Sequence, residues 1–339
     1  MEFHRLAPKE IDWEAMDAFE DRVFSQRQHW LRFIRSFVKG EVVVAELRDL
    51  GRTLGYFTGI RSRICGVAIL GSPFRGWMTT DMGFNLAPDV PRRDALRALE
   101  ELAFKQLGCL QLEIGDRGFG IEDGDGLGFQ CRGWTTYVSD LTLSEDDLLA
   151  GMSRSCRWNI RKAERNGLRV EVADAEGFAE EFYAQLGEVF AKQGLAPPYG
   201  IERVHALIEH VHPSGDLLLA RVRHPDGQSV ATGIYPGFGR TSLFWASGSV
   251  REHQVLRSSE ALHWFAMRYW KQRGVKTHDW SGGYHYKQRY GCTIQVTPVL
   301  RKSRYRVLEH AREAAIKLRN LPRHLQRRRH QAKIAARSA

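Results

Sequence analysis

DLLLARVRHPDGQSVATGIYPGFGRTSLFWA, residues 216–246, holds three apolar runs, Asp216–Arg223, Ser229–Tyr235 and Thr241–Ala246, joined by the glycine turns HPDGQ and GFGR. Short β-rich runs linked by such turns pair as hairpins, so this stretch predicts a three-strand meander. Downstream follow a helix at Ser258–Arg273, a strand at Lys276–Asp279, a glycine turn and a strand at Thr293–Val299. Upstream, Ser144 precedes three acidic residues in SEDD. That arrangement caps a helix N-terminus and compensates its dipole. Helical sequence then runs to Asn166, Gly167 stops it, LRVEV forms a short strand, and two further helical stretches lead into the meander.

The first half repeats that order. DWEAMDAFEDRVFSQRQHWLRFIRSF places Trp13, Met16, Phe19, Val23 and Phe24 at helical spacing. Strand-like runs follow at Val42–Ala45, Thr53–Gly59 and Ile64–Leu70. Then come a helix around Arg92–Leu107, a strand at Leu110–Ile114, a glycine-rich loop and a last strand at Thr135–Leu143. Helix, meander, helix, strand, strand thus occurs twice. The prediction is an α/β (α+β) chain of two tandem modules, each a mixed, mostly antiparallel sheet flanked by helices. Residues 1–143 form the first module, 144–305 the second, and 306–339 a basic helical or disordered tail. A doubly wound parallel sheet is excluded, because its strands and helices alternate strictly.

Among 339 residues, 17 Phe, 10 Tyr and 9 Trp supply enough apolar volume for two cores. No apolar run approaches the ~18 residues a membrane-spanning helix needs. The N-terminus MEFHRLAPKEIDWE lacks an apolar h-region, so a cytoplasmic address is expected, with peripheral contact at the inner membrane face as an option. Cys65, Cys109, Cys131, Cys156 and Cys292 stand singly, which argues against a disulfide framework and a zinc ribbon. The histidines form no HExxH, and no metal is expected. The net charge is +10, yet residues 301–339 alone carry 13 Lys and Arg against Glu309 and Glu313, so the body is near neutral. Such a tail attracts the phosphates of an anionic membrane or of RNA, or simply solubilises the chain.

Four segments offer chemistry. In SRSCRWNIRKAERNGLRV, at 100° per residue, Arg154, Arg157, Arg161 and Arg165 fall within about 80° of one another on a helix. With Lys162 beside them they form either a diphosphate cradle or a solvated basic face. In HDWSGGYHYKQRYG, Asp279 stands at a strand end and Gly282-Gly283 allows close backbone approach. Tyr284, Tyr286 and Lys287 supply proton donors and one ammonium, and a glycine turn with packed tyrosines is the bland alternative. The start of the helix at Ser258, with Gln254, Arg257 and Ser259 around it, offers free N–H groups to a phosphate. In GSPFRGWMTTDMGF, Arg75 and Trp77 are candidates to face the cleft between modules, and a core Trp beside an exposed Arg is the bland alternative. The loop GFGIEDGDGLGF fails the EF-hand spacing.

The pair RWNIRKAERNGLRVEV and DWSGGYHYKQRYG, about 120 residues apart, resembles the FemAB-like branch of the GCN5-related N-acyltransferase (GNAT) superfamily. That branch carries an Arg–Ile–Arg/Lys–Lys–Ala–Glu stretch, matched at Arg157 to Gly167. It also carries an Asp-Gly-Gly turn with aromatic–Lys–x–x–aromatic–Gly, matched at Asp279, Gly282-Gly283 and Tyr286-Lys287 through Tyr290-Gly291. The superfamily's pyrophosphate loop, Gln/Arg-x-x-Gly-x-Gly/Ala, aligns with Gln254 to Ser259, with Arg257 in place of the first glycine.

The resemblance implies transfer of an acyl group, expected to be acetyl from acetyl-CoA or another acyl-CoA, to an amine of a cell-envelope or exopolysaccharide sugar precursor. The implied acceptor is an amino sugar or peptide bearing phosphate, and no stable protein partner is expected. Lys287 or a nearby tyrosine would receive the oxyanion charge and Asp279 would orient or deprotonate the amine. Arg157 and Arg161 would hold diphosphate, and Gln254, Arg257, Ser258 and Ser259 the donor. The rival readings are an aminoacyl-tRNA donor acting on a peptidoglycan precursor, and a non-catalytic membrane- or RNA-binding module.

Overall fold

A computed structural model describes residues 1–74, 76–309 and 312. The first half runs β1 (Glu2–Arg5), α1 (Trp13–Asp17), α2 (Gln28–Phe37), β2 (Gly40–Asp49), β3 (Arg52–Ile64), β4 (Val67–Ser72), β5 (Phe84–Leu86), α3 (Arg92–Glu101), β6 (Gln111–Gly115) and β7 (Gln130–Asp140). The second half runs α4 (Glu145–Gly151), α5 (Arg154–Arg165), β8 (Arg169–Val172), α6 (Phe178–Ala191), α7 (Ile201–Val211), β9 (Leu217–Arg223), β10 (Ser229–Phe238), β11 (Thr241–Leu243), β12 (Ala246–Ser249), α8 (Ser258–Gln272), β13 (Thr277–Asp279) and β14 (Thr293–Ser303). This is the mixed α/β architecture that the repeated pattern predicts.

Local chemistry sets the helix ends. The Ser144 hydroxyl accepts the N–H of Asp147 at 3.1 Å and donates to its carboxylate, so α4 starts where SEDD predicts. Ser153 caps α5 in the same way through the N–H of Cys156. At the other end of α5 the N–H groups of Gly167 and Leu168 return to the carbonyls of Glu164 and Ala163.

Two predicted elements differ. The helix expected over residues 12–37 is broken between α1 and α2. There Arg22 donates to Asp17 and Asn85, Ser25 to the carbonyl of Asp81, and Gln26 to the carbonyl of Met82. The long-range bonds among these, to Asn85 of β5 and to the loop just before it, outweigh helical propensity. The third meander strand splits at Phe244–Trp245. Its first part, β11, pairs in parallel with β13, and its second, β12, pairs antiparallel with β10.

Among the described residues one continuous sheet runs in the order β1-β2-β3-β4-β6-β14-β7-β13-β11-β10-β9-β8, with β5 on β3 and β12 on β10. The last strand of the second half, β14, lies between β6 and β7 of the first, while β7 pairs with β13 of the second. The two halves therefore exchange their final strands.

A buried cluster fills each half, and a third spans both. In it Trp30, Phe33 and Ile34 of α2 pack with Phe178, Val204, Leu207 and Trp245 of the second half. Arg203 of α7 lies 3.9 Å from the Phe37 ring centroid. Such apolar contact holds the halves in one arrangement.

Candidate active site

The parallel strands β11 and β13 end at Leu243 and Asp279, tied by the N–H of Phe244 donating to the carbonyl of Asp279 at 2.7 Å. Trp280 follows, fully buried, its indole N–H on Ser139 Oγ and its ring stacked 4.2 Å from that of Tyr290. The chain then turns through two left-handed residues, Ser281 at φ 54° and Gly282 at φ 75°, a conformation glycine adopts without Cβ strain. Gly291 at φ 71° closes the segment against α4, where a Cβ would stand 2.7 Å from the Gly151 carbonyl carbon.

That turn presents the carbonyls of Trp280 and Ser281 to one side chain. Lys287, buried, donates from Nζ to both. The rings of Phe244, Tyr284 and Tyr286 stand 5.4–5.8 Å from Nζ, so the ammonium is walled by aromatic faces. Burial lowers the Lys287 pKa from 10.5 to about 8, with Asp279 working in the opposite direction. Tyr284 and Tyr286 are exposed as residues, and desolvation, with Tyr284 adding to it, raises the Tyr286 pKa.

Asp279 is buried and its oxygens are occupied. Oδ1 accepts from the Thr136 hydroxyl and, at 2.7 Å, from the Ser281 N–H, while Oδ2 accepts from Arg117 Nη2 at 2.6 Å. Arg117 also forks onto Asp81 at 2.8 and 3.0 Å. Burial alone would lower the Arg117 pKa, but Asp81 and Asp279 outweigh it and hold the guanidinium above its ordinary range. The geometry makes Asp279 an anchor of the turn.

Arg117 and Asp81 line a cavity of about 760 Å³ bounded by both halves, among them Arg22, Arg92, Asp116 and Thr277. Lys287 does not line it. The connection runs through Arg117 to Asp279, and two residues on to Ser281, whose carbonyl holds Lys287.

Behind the turn lies a buried ring cluster. Tyr235 Oη is 2.8 Å from His263 Nδ1, and Ser242 Oγ is 2.9 Å from His278 Nδ1. Burial, reinforced by neighbouring cations, lowers both histidine pKa values to about 3, so the rings are neutral at pH 7. Glu260, in the first turn of α8, accepts from Asn159 at 2.8 Å and from Arg289, which ties α5, α8 and the Lys287 segment together.

At the head of α8, Arg257 is exposed at φ 67°, and no side chain caps the first turn. This is a left-handed backbone position of the kind glycine adopts most readily, and an arginine stands in it. Ser258 is buried, while Gln254 and Ser259 are half-buried. Uncapped N–H groups beside an exposed guanidinium fit a pyrophosphate.

The structure separates other predicted residues from this group. Arg157 Nη1 donates to the carbonyls of Leu149, Ala150 and Met152, so it caps the end of α4, which corrects the expectation of a diphosphate ligand. Arg161 is exposed, and Lys162 Nζ lies 5.1 Å over the Trp158 ring. Trp77 is only 5% exposed and packs with Phe74 in the core spanning both halves, so it does not face the cleft. Arg75 lies outside the described residues.

Arg117, Asp81, Thr136, Phe244 and Glu260 were not anticipated. A usable signal was present in the internal repeat: Asp116-Arg117-Gly118 follows β6 at the place where Asp279 to Gly282 ends and follows β13. Among the described residues no group of side chains is arranged to hold a metal ion.

A family model for the acetyltransferase (GNAT) domain matches residues 150–288. The chain superposes on FemX with TM-score 0.74 and 14% identity, over 91% of this chain and 99% of that one. It superposes on a tandem GNAT protein from the clavulanic acid biosynthesis pathway with TM-score 0.53 and 13% identity, over 89% and 98% of the two chains. L-PGS from Bacillus licheniformis gives TM-score 0.53 and 11% identity, over 88% and 96%. No curated protein matches the sequence.

Proposed function

We propose that this protein is an acyltransferase that moves an acetyl or other acyl group from acyl-CoA to an amine of a cell-envelope or exopolysaccharide sugar precursor; the match of residues 150–288 to the acetyltransferase (GNAT) domain and the likeness of the fold to FemX and to a tandem GNAT protein support this reading. The observation that carries this reading is Lys287, buried beneath three aromatic rings with two of its protons held by main-chain carbonyls. An ammonium has three donors, so one N–H remains for the charge that develops on an acyl oxygen. A neutral amine holding the same two carbonyls would have none.

When bound, the thioester supplies an activated carbonyl: the acceptor nitrogen adds to its carbon, the C–S bond breaks, and the proton that the nitrogen loses ends on the departing sulfur, which leaves as the free thiol. Gln254, Arg257, Ser258 and Ser259 hold the donor phosphates at the head of α8. Asp279 keeps the carbonyls of Trp280 and Ser281 in place, and Tyr284 and Tyr286 cover Lys287 and exclude water. The cavity beside Arg117 holds the body of the acceptor. Its volume lies within the range of about 300–1,000 Å³ usual for small-molecule sites, and its Arg and Asp side chains suit a hydroxylated, phosphate-bearing molecule. We divide the chain into modules 1–143 and 144–305 and the tail 306–339, and place the protein in the cytoplasm. No described helix is long and apolar enough to cross a membrane.

The test is thiol release from acetyl-CoA, with mass detection of the N-acetylated product, over a panel of nucleotide-linked amino sugars. Lys287→Met should lower turnover by about 100-fold or more. Lys287→Met and Asp279→Asn both turning over within a few-fold of the parent would refute the assignment. The second reading, an aminoacyl-tRNA donor acting on a peptidoglycan precursor, draws on Arg257 standing where the CoA motif has glycine. Sensitivity of transfer to RNase would favour it.

A further inference from the structure

The basic stripe of α5 is not used by the site described above. At 100° per residue, Arg154, Trp158, Arg161 and Arg165 fall within about 60° on one face of that helix. All four are exposed, Trp158 by 49%, and none of the three arginines has an ion pair among the described residues. An exposed tryptophan in the middle of free arginines is neither a packed core residue nor a plain solvated face.

Both ends of the stripe continue into further exposed apolar side chains. At the C-terminal end, Asn166 donates to the carbonyl of Leu256 at 3.5 Å, which brings α5 beside Val255, 61% exposed, and Arg251, whose guanidinium has no ion pair among the described residues. At the N-terminal end, the N–H of Ser153 donates to the carbonyl of Arg289, which brings it beside the segment carrying Tyr284 and Tyr286, 66% and 52% exposed. Leaving aside Arg157, Arg257, Lys287 and Arg289, which the site described above already uses, five cations (Arg154, Arg161, Lys162, Arg165 and Arg251) stand on these segments against the acids Glu164 and Glu252.

We propose that this face docks the protein on an anionic lipid bilayer, with the Lys287 turn at its edge. Guanidiniums on one helix face meet lipid phosphates, while Trp158 and Val255 enter the interfacial layer, where tryptophan is favoured and an aliphatic side chain gains by burial. Val255 is what selects lipid over nucleic acid, because an aliphatic side chain offers no surface on which a base stacks. The inference goes beyond the acyl-transfer reading and does not depend on it.

The experiment is co-sedimentation of the full chain, tail included, with vesicles of phosphatidylcholine alone or with one third phosphatidylglycerol, at physiological salt and without donor or acceptor. Each cation at an anionic surface is worth about five-fold in partition. Arg154→Glu/Arg161→Glu/Arg165→Glu should therefore lose binding by ~100-fold or more, although the polybasic tail is intact. Trp158→Ser/Val255→Ser keeps every charge and should weaken binding several-fold; it also serves if the triple variant fails to fold. The proposal is overturned if the parent ignores anionic vesicles, or if both variants bind them like the parent. It is equally overturned if the variants lose binding to single-stranded RNA while binding to vesicles is unchanged.

Discussion

Arg117 of the first half and Asp279 of the second form a buried ion pair, Nη2 to Oδ2 at 2.6 Å, and the same guanidinium holds Asp81. One side chain thus joins the wall of the interdomain cavity to the strand end from which the Lys287 turn departs. Removing one partner of a buried pair is costly because the other charge is left without compensation, typically about 3–5 kcal/mol. Arg117 keeps 16% side-chain exposure, which places Arg117→Met near the lower end, at about 3 kcal/mol by chemical denaturation. Arg117→Lys should recover part of this stability, since it keeps the charge and loses the fork.

Lys287 gives the activity its alkaline limit. Transfer that needs its ammonium should fall as pH rises through about 8, and that limb should be absent from the residual activity of Lys287→Met. The stability sign is opposite. With a folded pKa of about 8 and an ordinary value of 10.5, the unfolded chain binds more protons between those values, so parent stability rises with pH across that window. Measured against Lys287→Met, the gain should approach about 3 kcal/mol.

Acid should unfold the protein through His263 and His278. Both are neutral in the fold, with pKa values of about 3 against an ordinary 6.5. Their contribution is complete above pH 6.5 and is lost as pH falls toward 3, because the unfolded chain takes up protons first. Each should remove about 1.4 kcal/mol per pH unit inside that window. His263→Gln and His278→Gln should each flatten the acid slope of the denaturation free energy, whatever their effect at pH 7.

Arg257 occupies a left-handed backbone position without the help of a glycine. Arg257→Gly should relieve roughly 1 kcal/mol of that strain, less the chain entropy glycine adds, and leave thermal stability equal or slightly higher. A large loss of stability would show that the arginine side chain holds the head of α8.

The fold was legible where local chemistry decides it. HPDGQ and GFGR specify hairpins, and SEDD specifies the start of α4. The exchange of β14 and β7 was not, because which strands pair is settled by sheet edges far apart in sequence. The candidate site was legible as one turn, since Asp279, Gly282 and Lys287 lie within nine residues. Arg117 escaped because its acceptor is 162 positions away. Trp77 sits in the core for a steric reason: its ring fills the space left by the missing side chain of Gly71, with Cη2 2.9 Å from where a Cβ would stand.

An acyl-CoA site at the head of α8 that feeds the Lys287 turn can be probed by calorimetric titration of the full chain with acetyl-CoA. Acetyl-CoA should bind saturably at one site in the micromolar range, about ten-fold or more weaker in Arg257→Glu through charge reversal beside the phosphates and unchanged in Lys287→Met. No saturable heat from a folded protein, or binding indifferent to Arg257→Glu, would contradict it.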